Sequence, residues 1–321
     1  MNFREELILR CASRRRQKLG QMSDAAYQEL LLAVKQNPEA YVDDPAEKAY
    51  VILGKTLRKF NESARDDDLL DDDQYMTARA KRFEVLAKAC DAAIELDAGC
   101  LDAHLLRALA TIERPDKLLD ALLDLEEKFK DDDRPVDQLE WGDVWSRPRL
   151  RLRAAVARTC GDAACWKMAR DAAESVLRAT EKDGDPLGAR NTAALAYARL
   201  EDEEGLNALE ARWSQGNAWS NLARCLLLYK LGRMPAARRA LRGYGQLTKG
   251  AAYALLKPMY VEVFLPDRPE LAPGSFDEAL AAVHEAEVII ADTPDFIAWC
   301  QALDWFEADA RAYAEKHDLD W

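Results

Sequence analysis

Trp219-Ser-Asn-Leu-Ala-Arg-Cys-Leu-Leu-Leu-Tyr-Lys-Leu-Gly232 decides the fold. Trp219, Leu222 and Leu226 recur at three- and four-residue steps, which places them on one stripe of an α-helix. Gly232 is a stop signal. Ala236-Ala-Arg-Arg-Ala-Leu-Arg-Gly-Tyr244 comes directly after it, with small residues at helical spacing. A helix, a glycine turn and a second helix with a small-residue face make an antiparallel pair. The same reading extends outward over Trp141–Gly245. It predicts helices near 147–160, 163–181, 187–200, 203–214, 217–231 and 235–247, punctuated by Gly161, Gly184, Gly216 and Gly232.

Composition agrees. The chain has 321 residues, 49% of them hydrophobic, with only 14 Gly and 12 Pro. Ala, Leu, Glu, Arg and Lys dominate, and these are strong helix formers. Val261-Glu-Val-Phe-Leu265 is the short stretch that reads as a possible strand. The expected fold is therefore all-α, with at most a short strand near Val261.

Net charge is −13, which disfavours nucleic acid and anionic lipid as partners, because both need a basic surface. The seven cysteines are widely spaced and contain no CxxC. They read as reduced, buried thiols of a cytoplasmic protein. Cys160 and Cys165 are close enough to share a zinc ion, but no second pair stands near them in sequence. The charged N-terminus does not look like a signal peptide, and no apolar run reaches the ~18 residues of a membrane span.

Before the central stretch, residues 2–19 form a predicted helix ended by Gly20, with a basic last turn at Arg14-Arg-Arg16 and Lys18 that suits the negative end of the helix dipole. Ser23 caps a second helix, Pro45 opens a third to about Ser63, 74–96 form a long fourth, and Pro115 opens another to about Lys130. The runs Asp66-Asp-Asp68, Asp71-Asp-Asp73 and Asp131-Asp-Asp133 lack the central Gly and terminal Glu of a calcium loop, so they read as solvated turns that supply helix caps. His104 falls where a repeat packs a large aromatic and reads as a packing residue. After Lys257, four prolines before Gly274 predict an extended tether. Ser275 and Thr293 then cap two closing helices, the second running to about Lys316, with Trp321 frayed.

The helix end Ala93-Ile-Glu-Leu-Asp97, its short turn and the opening Asp102-Ala-His104 match the junction between adjacent tetratricopeptide repeats. From Trp141 onward the chain resembles a family of tetratricopeptide-like proteins related to suppression-of-tumorigenicity-7. The resemblance rests on Trp141 and Trp145, Arg147-Pro148, Asp185 with Gly188 and Arg190, Trp219, Tyr253, Gly274-Ser275 with Asp277-Glu278, and Thr293-Pro294 with Trp299. It covers about 160 residues. Pro186-Leu187 stand where the family has Asn-Gln, and the His-Val-Pro of the family's tether is missing. The resemblance implies a degenerate helical-repeat solenoid, a right-handed superhelix of antiparallel pairs, and implies no reaction. The expected organisation is N-terminal helices over 1–65, repeats over 74–256, the tether over 257–274 and capping helices over 275–321.

No residue set reaches a catalytic, metal or cofactor signature. The expected function is a non-enzymatic protein–protein interaction scaffold that binds an acidic peptide or protein on the concave face of the repeats. A regulatory or nucleic-acid-associated effector using Arg-rich patches is the alternative. Helical stripes single out Arg147, Arg151, Arg158, Asn191, Asn217, Asn221 and Arg224 as peptide-binding candidates. Arg forks and Asn amides suit carboxylates and peptide backbone, and exposure in one concavity is expected of them.

Overall fold

A computed structural model describes residues 2–65, 67–131 and 133–321. Asp66 and Asp132, members of two acidic runs, lie outside the described residues. The chain is 73% helical, with sixteen α-helices and no strand among the described residues. Among them, no helix is long and apolar enough to cross a membrane. The chain groups into two compact units, Met1–Ala155 with Leu265–Asp267, and Val156–Phe264 with Arg268–Trp321.

The first unit holds α1 (Phe3–Leu19), α2 (Asp24–Gln36), α3 (Pro45–Ser63), α4 (Asp72–Leu96), α5 (Leu101–Thr111), α6 (Pro115–Lys128) and the first part of α7 (Arg147–Asp162). The boundaries obey local chemistry. Ser23 and Asp71 accept backbone N–H groups at the starts of α2 and α4. Asp44 and Glu47 form a reciprocal capping box on α3, and Pro45 and Pro115 occupy first-turn positions where a missing N–H costs nothing. Consecutive helices pack on one another, α3 on α4 and α4 on α5, while α1 lies against α2 and α3. Leu7, Cys11, Ala12, Val34 and Tyr50 form one buried cluster of this core.

The second unit holds the rest of α7, then α8 (Trp166–Thr180), α9 (Ala189–Arg199), α10 (Glu203–Arg212), α11 (Ala218–Lys230), α12 (Met234–Leu247), α13 (Ala251–Leu256), α14 (Phe276–Ala291), α15 (Phe296–Gln301) and α16 (Asp304–His317). Its centre is α9. Ala189, Ala193, Ala194, Ala196 and Ala198 are all buried, and such small side chains let α8, α10, α11 and α14 all approach the same helix. A helix covered on every side has no polar face to display, which is why α9 lacks an amphipathic pattern.

Four features differ from the sequence reading. The segment 251–256 is helical, because its apolar residues are buried among α12, α14 and α16. The expected last helix is two helices, α15 and α16, broken at Ala302-Leu303. Thr293 donates its hydroxyl back to the Ile289 carbonyl and does not cap α15. Trp321 is half-buried instead of frayed: its ring lies against Tyr253, with Lys257 and Arg311 beside it.

Candidate functional site

The arginines of α7 behave as core residues. In the first unit, Arg151 is 1% exposed. It donates to both oxygens of Glu6 and both oxygens of Asp102, each at 2.9 Å. Arg10 donates to the same two carboxylates, at 2.8 Å and 3.0 Å, and its guanidinium lies 4.0 Å from the Tyr50 ring centre. Two cations and two anions thus close a buried quartet that joins α1, α5 and α7. Burial alone pushes the Glu6 carboxyl up, but Arg151 and Arg10 outweigh it and hold it down at about 2. Arg147 lies at the rim, 3.7 Å from Glu6, and donates from Nε to the Trp141 carbonyl.

The expectation that Arg151 is exposed therefore fails. Its guanidinium is engaged by residues that arrive from α1 and α5. The basic turn of α1 is likewise answered by acids. Arg14 pairs with Asp44 and Glu47, Arg15 and Lys18 with Asp43, and Arg16 with Asp24. In the acidic runs, Asp67 makes a two-pronged pair with Arg82 and Asp71 caps α4. His104 lies against Phe129 and bonds the Ala98 carbonyl.

In the second unit, Arg158 is buried with its guanidinium over Phe264. Arg224 pairs with Glu210 at 2.5 Å and also donates to Asn207. Neither is a free cation facing a groove. The asparagines are a different matter. Asn217 caps α11: its Oδ1 accepts from the Ser220 N–H at 3.0 Å, while Ser220 Oγ accepts from the Asn217 N–H. Its Nδ2 donates to Asn191 Oδ1 at 2.8 Å. Asn191 is in the first turn of α9, so this bond ties the N-terminal ends of α9 and α11 together.

The start of α9 is built around two left-handed residues, Asp185 at φ +58° and Gly188 at φ +62°. The Asp185 carboxylate accepts the N–H groups of Ala189 and Arg190, at 2.8 Å and 3.0 Å. A side chain at Gly188 would meet Arg268 Nη1 at 3.2 Å. Arg268 needs that approach: it donates to the Leu187 and Gly188 carbonyls, to Thr192 Oγ1 and to both oxygens of Glu285. All three of its nitrogens are engaged, so it acts as a clamp on the loop before α9.

These elements frame a small cleft lined by Arg190, Asn191, Trp213, Gln215, Asn217 and Ser220. Its volume of about 20 Å³ admits one water or a single ligand oxygen. The Arg190 guanidinium stands 5.3 Å from the Trp213 ring centre and is partly exposed. The Trp213 indole N–H is shielded from solvent and has no acceptor among the described residues. The N-termini of α9 and α11 and the Arg190 guanidinium contribute positive potential, offset by Glu210, which also lines the cleft and pairs with Arg224, and by Asp185, 4.0 Å from Arg190. The arrangement suits a carbonyl or carboxylate oxygen. Asn191 and Asn217 are thus brought together as a polar pair, and Asn221 is half-exposed one turn further along α11. Arg190 was named only among the residues that carry the family resemblance, and Trp213, Gln215 and Ser220 were not singled out from sequence. The Asn217-x-x-Ser220 capping pattern was the available signal, since it places a helix start there.

Asp185 supplies a pH dependence. Burial pushes its carboxyl up to about 6, against the two N–H donors and the nearby Arg268 and Arg190. A raised folded-state value means that the stability it contributes is complete below the unfolded value and is lost as pH rises through about 6. Asp185→Asn should flatten the change in urea midpoint between about pH 4 and pH 6; an unaltered slope would place the titrating group elsewhere.

No family model matches the chain, and no curated protein and no solved structure matches it.

Proposed function

We propose that this protein is a non-enzymatic interaction scaffold that holds an extended polypeptide at the α9–α11 cleft, in a cytoplasmic setting. The observation that carries the reading is the tie between Asn191 and Asn217 at the rim of a small polar cleft with an unanswered Trp213 N–H. Amides held in place by their own hydrogen bonds are suited to a peptide's backbone carbonyl or terminal carboxylate, and Arg190 adds charge.

The helices belong, in this reading, to degenerate tetratricopeptide-like pairs within a solenoid. The packing order supports this: α8 on α9, α11 on α12, and α9 on α11, so alternate helices touch as well as neighbours. Support for a binding role over catalysis comes from the state of the reactive groups. Burial pushes the thiols of Cys11 and Cys90 up to about 12 and Cys100 up to about 11, and raises Cys225 and Cys300 further. Such thiols are poor nucleophiles. Six of the seven cysteines are buried, and none among the described residues is in a disulfide, which suits a reducing compartment.

The test is selection of peptides on the full chain from a random display library, then titration of the winners. Arg190→Glu should weaken them roughly tenfold. Winners that bind Arg190→Glu and the parent equally would remove the cleft as the site.

A further inference from the structure

A second surface stands apart from this cleft. Helix α12 contains no Asp or Glu, and it buries Ala237, Leu241 and Tyr244. Its outer side carries Arg238, Arg239 and Arg242, all exposed, with Lys249 just beyond the helix end. Steps of three and four residues put Arg239 and Arg238 each beside Arg242 on one face. Arg242 lies 5.1 Å from the Trp305 ring centre, while Arg238 and Arg239 have no carboxylate or carbonyl partner among the described residues. Single exposed arginines elsewhere, Arg58 and Arg178, also lack an acid among the described residues, but α12 gathers its arginines on one face. Arg10, Arg14, Arg82, Arg151, Arg224 and Arg268 are all answered by acids, in a chain of net charge −13. Acids are abundant, yet among the described residues none pairs with Arg238 or Arg239. Leu247, 66% exposed, and Met234, 36% exposed, stand at its two ends.

We propose that the outer face of α12 is a docking surface for an acidic polypeptide segment of a partner protein, one that carries apolar side chains between its carboxylates. Unpaired guanidinium forks bind carboxylates bidentately. The apolar ends extend the match to a mixed acidic and apolar ligand, which a nucleic-acid backbone is not. At physiological salt the repulsion between such a segment and the acids elsewhere on the chain is largely screened beyond about 8 Å.

The test uses the full chain and a labelled synthetic peptide of repeating Asp-Leu-Leu-Asp, read by fluorescence anisotropy. Binding should weaken steadily with added salt and fall roughly a hundredfold in Arg238→Glu/Arg239→Glu. Arg238→Gln/Arg239→Gln, which removes charge without reversing it, should give a smaller loss. Arg190→Glu should leave this binding unchanged, so failure here and failure of the α9–α11 cleft are told apart. An unchanged thermal melt certifies that the surface variants fold. Absence of peptide binding, or binding indifferent to the double reversal, overturns the proposal. So does tighter capture of oligouridylate than of the peptide, or sedimentation showing self-association that the double reversal abolishes.

Discussion

Arg151→Met should lower the free energy of unfolding by about 3–5 kcal/mol, because it leaves two carboxylates buried with half their counter-charge gone. Glu6 is 2% exposed and Asp102 is 1% exposed, so neither can recover its hydration without opening the junction of α1, α5 and α7. Methionine fills much of the volume of arginine, which isolates the loss of charge from the loss of packing. Replacing all four of Glu6, Arg10, Asp102 and Arg151 with apolar residues of similar size should cost much less than the single change, since no orphaned charge remains. Urea titration of the single and quadruple variants separates these effects. A single variant as stable as the parent would mean that the quartet is not closed in solution.

The second large effect is expected at Trp219. Its side chain is 3% exposed in α11, the helix that packs on α9, and the Arg268 guanidinium lies 5.9 Å from its ring centre. Trp219→Ala should cost about 3–5 kcal/mol by removing buried surface and leaving a cavity. The loss should be largest near the α9 start, where the Arg268 clamp has lost the ring beneath it. Hydrogen exchange at the Ala189 and Arg190 amides reads this directly. Global destabilisation without faster exchange there would separate Trp219 from the clamp.

Much of the fold was legible in the sequence because helix boundaries are written locally. Ser23, Pro45, Pro115, Asn217 and Ser275 each mark a start by a mechanism that acts within three residues. The parts that were not legible lacked such marks. The segment 251–256 has no side-chain cap and only six residues, so nothing local distinguishes it from the extended tether after it. The break between α15 and α16 has no Gly or Pro, and its Leu303 side chain is buried, a cause visible only in three dimensions.

The candidate site was legible in the same partial way. Stripe spacing placed Arg151 on a helix face but could not say what that face meets. Its partners lie 49 and 145 residues away in sequence, and those contacts turn a basic stripe into a neutral core. Asn217, singled out by its stripe, and Asn191, added beside that stripe, meet as a polar pair although they lie 26 residues apart. Arg190 and Trp213 were missed as site residues because the cleft arises from the meeting of two helix starts, which no single stripe encodes.

The central claim is that a peptide docks at the α9–α11 cleft, and the Trp213 indole N–H reports on it most directly. The chain has eight tryptophans, each giving one indole resonance in a nitrogen–proton correlation spectrum, and Trp213→Phe assigns the one in question. Titration with a display-selected peptide should move the Trp213 resonance downfield as it gains an acceptor, while the buried Trp166 and Trp219 signals hold still. A saturating peptide that leaves the Trp213 resonance in place would contradict the account.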